Sequence, residues 1–203
     1  MSIKHIYQNR FFLFLSLLIL SNIFLGNSTL FGQSKTNVYV ETDPATFAFD
    51  GYAAHLRVAP RDVEHWVFGI GAYSMKFPDL LVNINPKNSN QGWDVNLKHG
   101  YGIFSDYYFN STKDGWFIGG QLALQQYKLM NSATGSKEAN FSTVLLMPRV
   151  GYQWFPWKEG LYFMPWFGLG FTSKISGERE IYTKSYDLFP LMSFVTVHIG
   201  YKF

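Results

Sequence analysis

The stretch WDVNLKHGYGIFSDYYF, residues 93–109, alternates apolar and polar side chains along most of its length. A period of two predicts a β-strand, because successive side chains of a strand point to opposite faces. One face then carries Val95, Leu97, Tyr101 and Ile103, and the other carries Asp94, Asn96, Lys98 and Asp106. The stretch is longer than the five or six residues of a typical soluble strand. It therefore predicts a strand with one face suited to lipid and the other to a polar lumen.

Six further segments alternate in the same way, with turn-rich clusters between them. They run about 45–58, 65–75, 116–130, 141–155, 161–174 and 186–203. Bacterial membrane barrels have even strand numbers, so seven segments require an eighth strand. Residues 35–43 can supply it, with Val38, Val40 and Thr42 on one face and Asn37, Tyr39 and Glu41 on the other. The predicted fold class is all-β: a closed antiparallel transmembrane β-barrel of eight strands.

The connections between these segments alternate in length. Residues 59–64, 110–115 and 156–160 make short connections, and residues 76–92, 131–140 and 175–185 make longer ones. Short periplasmic turns opposite longer extracellular loops are typical of outer-membrane barrels, and a periplasmic C-terminus puts every connection on its expected side. The longest loop carries Phe77, Leu80, Leu81 and Ile84. The sequence leaves open whether this loop folds into the lumen or projects outward.

Glycines in the strands fall mainly on the predicted lumen side. They are Gly69, Gly71, Gly100, Gly102, Gly119, Gly151, Gly168, Gly170 and Gly200, and Gly120 is the exception. A narrow barrel has little interior volume, so glycines make room for large neighbours. The large inward residues are Tyr73, Phe117, Tyr127 and Trp166. This pattern predicts a lumen filled by side chains rather than an open pore.

Aromatic residues cluster at the predicted periplasmic ends of successive strands. They are Trp66, Tyr107, Trp116, Tyr152, Trp154, Trp157, Phe163, Tyr201 and Phe203. Amphipathic rings prefer the level of the lipid headgroups. The cluster therefore predicts an aromatic belt at one membrane surface.

The N-terminus predicts a secretory signal peptide over residues 1–33, followed by the barrel domain over residues 34–203. The cations Lys4 and Arg10 precede an apolar run over residues 11–25, and small and polar residues follow this run. These are the three parts of a signal peptide, although no A-x-A cleavage pattern is present. Ser16, Ser21 and Asn22 interrupt the run, which disfavours an uncleaved membrane anchor.

Composition narrows the classes of protein that the chain can belong to. The 203 residues suit one domain, and the sequence contains no cysteine, which excludes disulfides and thiolate metal sites. Charged residues make up 15% and aromatic residues 19%, an unusual balance for a soluble globular protein. The formal net charge of +3 falls close to zero without the predicted signal peptide. Nothing in this balance indicates a nucleic-acid partner.

The C-terminus resembles the assembly signal of outer-membrane barrels. Its apolar residues Ile199 and Tyr201 alternate with small or polar ones and end at the terminal aromatic Phe203. With the signal peptide and the strand count, the chain resembles the small eight-stranded bacterial outer-membrane proteins. This resemblance implies a location in the outer membrane, with membrane lipid and the barrel-assembly machinery as partners.

Six inward polar residues form a candidate lumen network. They are His55, Arg57, Asp106, Arg149, Gln153 and His198. A buried charge is costly unless it is paired, so we expect a mutually satisfied structural network with Arg149 held by Asp106 or another acid. No histidine pair has the i, i+4 spacing of a helical metal site, and a strand site would need a cross-strand pair with an added carboxylate. We therefore expect no metal and no cofactor.

Catalytic residues are hard to find. Ser105 and Ser193 fall on the lipid side, and of the inward hydroxyls only Thr196 has a histidine, His198, close in sequence. A hydrolase needs a nucleophile, a base and an orienting acid within hydrogen-bond reach. The favoured hypothesis is a non-enzymatic structural or interaction barrel that acts through its extracellular loops, whose ligand is unknown. The alternatives are a ligand-binding or narrow solute-conducting barrel, and a lipid-modifying enzyme.

Overall fold

The computed structural model describes residues 35–158 and 160–203. The predicted signal peptide lies outside the described residues. Eight antiparallel strands form a closed barrel in the order β1-β10-β7-β6-β5-β4-β3-β2, which confirms the predicted fold class. The barrel strands are β1 Asn37–Thr42, β2 Tyr52–Ala59, β3 Trp66–Lys76, β4 Trp93–Tyr108, β5 Gly115–Asn131, β6 Glu138–Gln153, β7 Leu161–Gly177 and β10 Leu191–Lys202.

Smaller elements lie in the connections. Two short helices, α1 Pro44–Ala48 and α2 Asp79–Asn83, precede β2 and β4, and a 3₁₀ turn spans Ser132–Thr134. Strands β8 Glu180–Ile181 and β9 Lys184–Ser185 form a separate two-stranded sheet in the last loop. No helix in the described part of the chain is long and apolar enough to cross a membrane.

Strand β1 closes the barrel, as the even strand number requires. It pairs with β2 from Asn37 to Glu41 and with β10 from Tyr39 to Thr42. Only six residues long, it is the shortest strand of the barrel. The pairing of β1 with β10 is the closing seam of the barrel, and it places the first and last strands of the described chain side by side.

Two predicted strand limits are wrong at the loop end. The segment predicted to begin at Ala45 begins at Tyr52, because Asp43 and Pro44 start helix α1 instead. The Asp43 carboxylate accepts a hydrogen bond from the Ala45 amide at 3.0 Å, and proline is favoured in the first turn. The segment predicted to begin at Tyr186 begins at Leu191, directly after Pro190, which has no amide hydrogen to donate.

The faces predicted for the upper part of β4 are also wrong. Val95 and Leu97 are buried inside the barrel, whereas Tyr101 and Ile103 face outward as predicted. The cause is a β-bulge: Leu97 pairs with Tyr127, but His99 already pairs with the next residue of β5, Gln126. One extra residue reverses the alternation above this point. Asp94, Asn96 and Lys98 therefore lie outside, not in the lumen.

The outward surface of the barrel is a band of apolar side chains. On β5 the band runs from Trp116 to Leu124, and the next outward residues are the polar Gln126 and Lys128. Nine positions from Trp116 to Leu124 match the ~9–11 residues that a tilted strand needs to cross a bilayer. The four strands β4 to β7 continue well beyond the band on the loop side.

Outward-facing aromatic rings, exposed or half-buried, meet in cross-strand pairs at the end of this band that lies away from the long loops. Trp66 packs on Tyr107 with 5.3 Å between ring centroids, and Trp116 packs on Tyr152 at the same distance. Trp154 and Phe163 form a third pair at 6.0 Å. The aromatic residues therefore occupy one end of adjacent strands, the arrangement that the sequence predicts.

Candidate functional site in the barrel lumen

Arg57 of β2 lies at the centre of a polar cluster in the lower lumen. Its side chain is fully buried, and Nη2 donates to Asp106 Oδ2 at 2.7 Å and to the Tyr108 hydroxyl at 2.8 Å. Its Nη1 donates to Glu41 Oε2 and to Gln153 Oε1, both at 3.2 Å. The Tyr108 hydroxyl also donates to Gln153. One guanidinium thus joins side chains from β1, β4 and β6.

Asp106 binds a second arginine. Arg149 Nε lies 2.9 Å from Asp106 Oδ1 and Arg149 Nη2 lies 2.6 Å from Oδ2, a bidentate pair. This is the contact expected from the sequence. The aromatic ring of Phe104 covers the Arg149 guanidinium, 4.5 Å from the ring centroid. Asp106 is therefore shared by two buried cations.

Glu41 is the second buried acid, and the sequence analysis missed its role. Its Oε2 accepts from Arg57 and, at 2.7 Å, from the Tyr162 hydroxyl. Its Oε1 lies 3.0 Å from Nδ1 of His198. The inward alternation of β1 already placed Glu41 on the polar face, so extending the lumen network to β1 would have found it.

His55 and His198 are stacked in the wall above Glu41. Their rings are nearly parallel, at 13°, with 4.8 Å between centroids. His198 Nε2 lies 4.0 Å from Asp43 Oδ2, so His198 stands between two carboxylates. His55 joins the other five predicted network residues only through this ring contact, because its buried Nδ1 has no hydrogen-bond partner among the described residues.

Charges in this cluster nearly balance. Arg57 and Arg149 supply two cations, and Glu41, Asp106 and the half-buried Asp43 supply three carboxylates. With neutral imidazoles the cluster carries one net negative charge. The arrangement can therefore hold buried charges at low cost and can accept a proton or a small cation.

A second layer of side chains fills the middle of the lumen. Gln125 Nε2 donates to the Tyr73 hydroxyl at 3.0 Å, and the Tyr127 hydroxyl donates to Gln125 Oε1 at 3.0 Å. Phe117 and Trp166 are buried in the lower layer. A side chain added at Gly100, Gly151 or Gly200 would overlap an inward aromatic ring. Large rings and glycines therefore complement each other, as predicted.

The longest loop closes the upper end of the lumen. Phe77 packs against Tyr127, with ring centroids 5.8 Å apart, and Val82 is buried, while Leu80 and Ile84 remain exposed. The residues that form this upper apolar core are Phe77, Val82, Trp93, Val95, Leu97, Tyr127, Leu129, Ala139, Phe141, Ile181 and Tyr186. The loop thus folds over the opening with some side chains inside and others outside.

Hydrogen bonds join the longest loop to the last loop. Asn85 Nδ2 donates to the Asp187 carboxylate at 2.8 Å, and Asn88 Nδ2 donates to the Asp187 carbonyl at 2.8 Å. The Asp187 amide donates back to Asn88 Oδ1 at 2.9 Å. Burial raises the pKa of the Tyr186 phenol in this last loop to about 12, so it stays neutral. The two loops form one ordered surface.

The residues of the predicted assembly signal lie at the closing seam. Ile199 pairs with Thr42 of β1 and Phe163 of β7. Tyr201 and Phe203 pack with 4.9 Å between ring centroids, and the Phe203 amide donates to the Val38 carbonyl at 2.9 Å. The last residue of the chain is thus tied to the first strand.

Thr196, whose hydroxyl is the closest in sequence to a lumen histidine, already donates a hydrogen bond. Thr196 Oγ1 donates to Asp43 Oδ1 at 2.8 Å, and Thr143 Oγ1 donates to Gln125 at 3.3 Å. A nucleophile needs its hydroxyl directed at a base. These two contacts direct both hydroxyls toward acceptors that are not histidines.

Comparisons with known proteins show a likeness in fold to a solved structure. No family model and no curated protein matches the chain. Among solved structures, the N-terminal β-barrel domain of OprF from Pseudomonas aeruginosa aligns with 85% of this chain and 100% of that domain, at 9% sequence identity and a TM-score of 0.42. The function of the chain is therefore inferred from its own side chains.

Proposed function

We propose that the chain is an integral outer-membrane β-barrel protein with a structural lumen, and that it acts through its extracellular loops. The observation that carries this proposal is the combination of two surfaces. The outward face is an apolar band edged by aromatic rings, and the lower lumen holds a paired polar cluster. A soluble barrel would not expose a continuous apolar band to water, so this surface favours a lipid surrounding.

The side chains that fill the lumen and the loop that covers its upper end favour a structural role over solute conduction. Buried residues occupy the lumen at three levels: the Arg57 cluster, the Gln125 layer and the loop core around Phe77. A conducting barrel needs a continuous polar path between these levels. The apolar core at the loop end interrupts such a path.

Exposed apolar residues on the joined loops favour an interaction surface. Leu80 is 77% exposed, Ile84 55% and Phe189 44%, and the loops that carry them are held together through Asp187. Ile84 and Phe189 line the same groove, and exposed apolar side chains grouped on an ordered surface are typical of a protein or membrane contact.

Three measurements test the proposal. Cell fractionation should place the protein with the outer membrane, and its migration in SDS gels should change on boiling, because a closed barrel resists detergent until heated. Planar-bilayer recordings of the purified protein should show no stable open channel. Unchanged migration on boiling would contradict the membrane barrel, whereas a stable conductance would contradict only the structural lumen.

A further inference from the structure

Glu41, His55 and His198 bring three metal-binding side chains together at the closing seam. One donor atom from each lies within 4.8 Å of the other two. Glu41 pairs directly with His55 across β1 and β2, and His198 precedes Ile199, the β10 residue that pairs with Thr42. Two imidazoles and one carboxylate on adjacent strands form the cross-strand set that a metal site in a sheet requires.

The carboxylate is already held in position. Glu41 Oε2 accepts from Arg57 and Tyr162, which leaves Oε1 directed at the histidine side of the cluster. Outer contacts of this kind fix the orientation of a metal ligand. The 3.0 Å between Glu41 Oε1 and His198 Nδ1 is close to the spacing of two ligands on one ion.

A carboxylate lies near the second ring nitrogen of His198, on the side where metal-binding histidines usually donate. Its Nδ1 faces Glu41, and its Nε2 lies 4.0 Å from the Asp43 carboxylate. A ligating imidazole usually donates its other ring hydrogen to a carboxylate, which fixes the tautomer. Thr196 in turn donates to the other oxygen of Asp43. Asp43 is therefore oriented toward this role.

His55 provides the independent sign of a missing partner. Its Nδ1 is buried and makes no hydrogen bond within the described residues, although buried polar atoms are nearly always paired. His55 is partly exposed, unlike Glu41 and His198, and to ligate an ion its ring would turn out of the stack. The His55 ring must turn because the nitrogen lone pairs of two parallel imidazoles lie in separate parallel planes, so both cannot point at one ion.

We propose that Glu41 Oε1, His55 Nδ1 and His198 Nδ1 bind one divalent transition-metal ion of the Zn²⁺ class. Nitrogen and carboxylate oxygen are ligands for such ions, and three protein ligands leave a fourth position for water. Binding through Nδ1 requires the ring hydrogen of His198 to lie on Nε2, the nitrogen nearer Asp43, so that Nδ1 offers its lone pair to the ion. The net negative charge of the surrounding cluster offsets part of the charge of the ion.

Cobalt titration of the full chain tests this site. The protein, purified in detergent without a histidine tag and stripped with a chelator, should bind one Co²⁺ per chain with a visible absorption band, and Zn²⁺ should abolish that band. Both ions should raise the temperature of unfolding, because they bind only the folded state. Absence of Co²⁺ binding to the wild-type protein would overturn the proposal.

The decisive variant is His55→Asn. It removes no hydrogen bond of the network, so the barrel should fold, and heat-modifiable migration checks this. We expect loss of the Co²⁺ band and of the thermal shift in His55→Asn and in His198→Asn. The matched control His99→Asn, on the outward bulge of β4, should bind as the wild type does. Wild-type binding by His55→Asn, or loss of binding in His99→Asn, would place the ion elsewhere and overturn the site.

Discussion

Arg149 reaches Asp106 across the backbone of the strand that lies between them. Asp106 of β4 pairs with Gly119 of β5, and Gly119 pairs in turn with Arg149 of β6. A Cβ atom at Gly119 would overlap Asp106 Oδ1. Because glycine has no side chain, Gly119 leaves room for Arg149 to form its bidentate ion pair with Asp106 across the strand between them.

Substitution of this glycine should destabilise the barrel. Gly119→Ala forces the Asp106 carboxylate away from both arginines, and we expect a loss of about 1–3 kcal/mol in the free energy of unfolding. Urea-induced unfolding in detergent measures it. The adjacent Gly120→Ala is the matched control, because Gly120 faces outward and its nearest contact would be the Met147 carbonyl at 3.9 Å. Equal stability of the two variants would contradict this account.

Removal of the shared acid should cost more. Asp106→Ala leaves Arg57 and Arg149 without the carboxylate that both bind, and breaking a buried pair costs about 3–5 kcal/mol. The control Asp94→Ala removes an exposed pair with Lys76, 2.8 Å apart, and should change the free energy of unfolding by about 0–1 kcal/mol. Similar small effects for both variants would indicate a lumen filled with water.

The β4 bulge predicts opposite reactivities for two neighbouring residues. Because the chain has no cysteine, single substitutions introduce the only thiol. Lys98→Cys should react readily with a water-soluble maleimide, whereas Leu97→Cys should be protected until the barrel unfolds, since Leu97 is 2% exposed. Rapid labelling at position 97 and protection at position 98 would show that the strand alternates without the bulge.

The terminal aromatic should be needed for assembly. Deletion of Phe203, or Phe203→Ser, should lower the amount of heat-modifiable protein in the outer membrane without preventing export across the inner membrane. The conservative variant Phe203→Tyr keeps the ring that packs on Tyr201 and should assemble normally. If the deletion variant assembles as well as the wild type, the C-terminal resemblance no longer supports a location in the outer membrane.

Much of the barrel could be predicted because strand alternation is a local property. The period of two identified seven strands and most of their faces, and the even strand number of bacterial membrane barrels required the eighth. Inward glycines beside large rings indicated a filled lumen, since interior volume limits which side chains fit. Two strand limits and the faces of the upper part of β4 were predicted wrongly, because each depends on a local feature other than alternation. These features are the start of helix α1 at Asp43-Pro44, Pro190 before β10, and the bulge at Lys98 and His99.

The partners of the polar residues depended on how the barrel closes. Six inward polar residues and the Arg149–Asp106 contact could be inferred from alternation and the cost of unpaired charge. Glu41 could not be assigned to Arg57, Tyr162 and His198, because it meets residues 16, 121 and 157 positions away. Register and closure set these contacts, and they depend on every strand pairing around the ring. The sequence by itself thus determined most of the side chains that face the lumen, because alternation is local, whereas only the tertiary structure decided where a bulge reverses it and which lumen side chains meet.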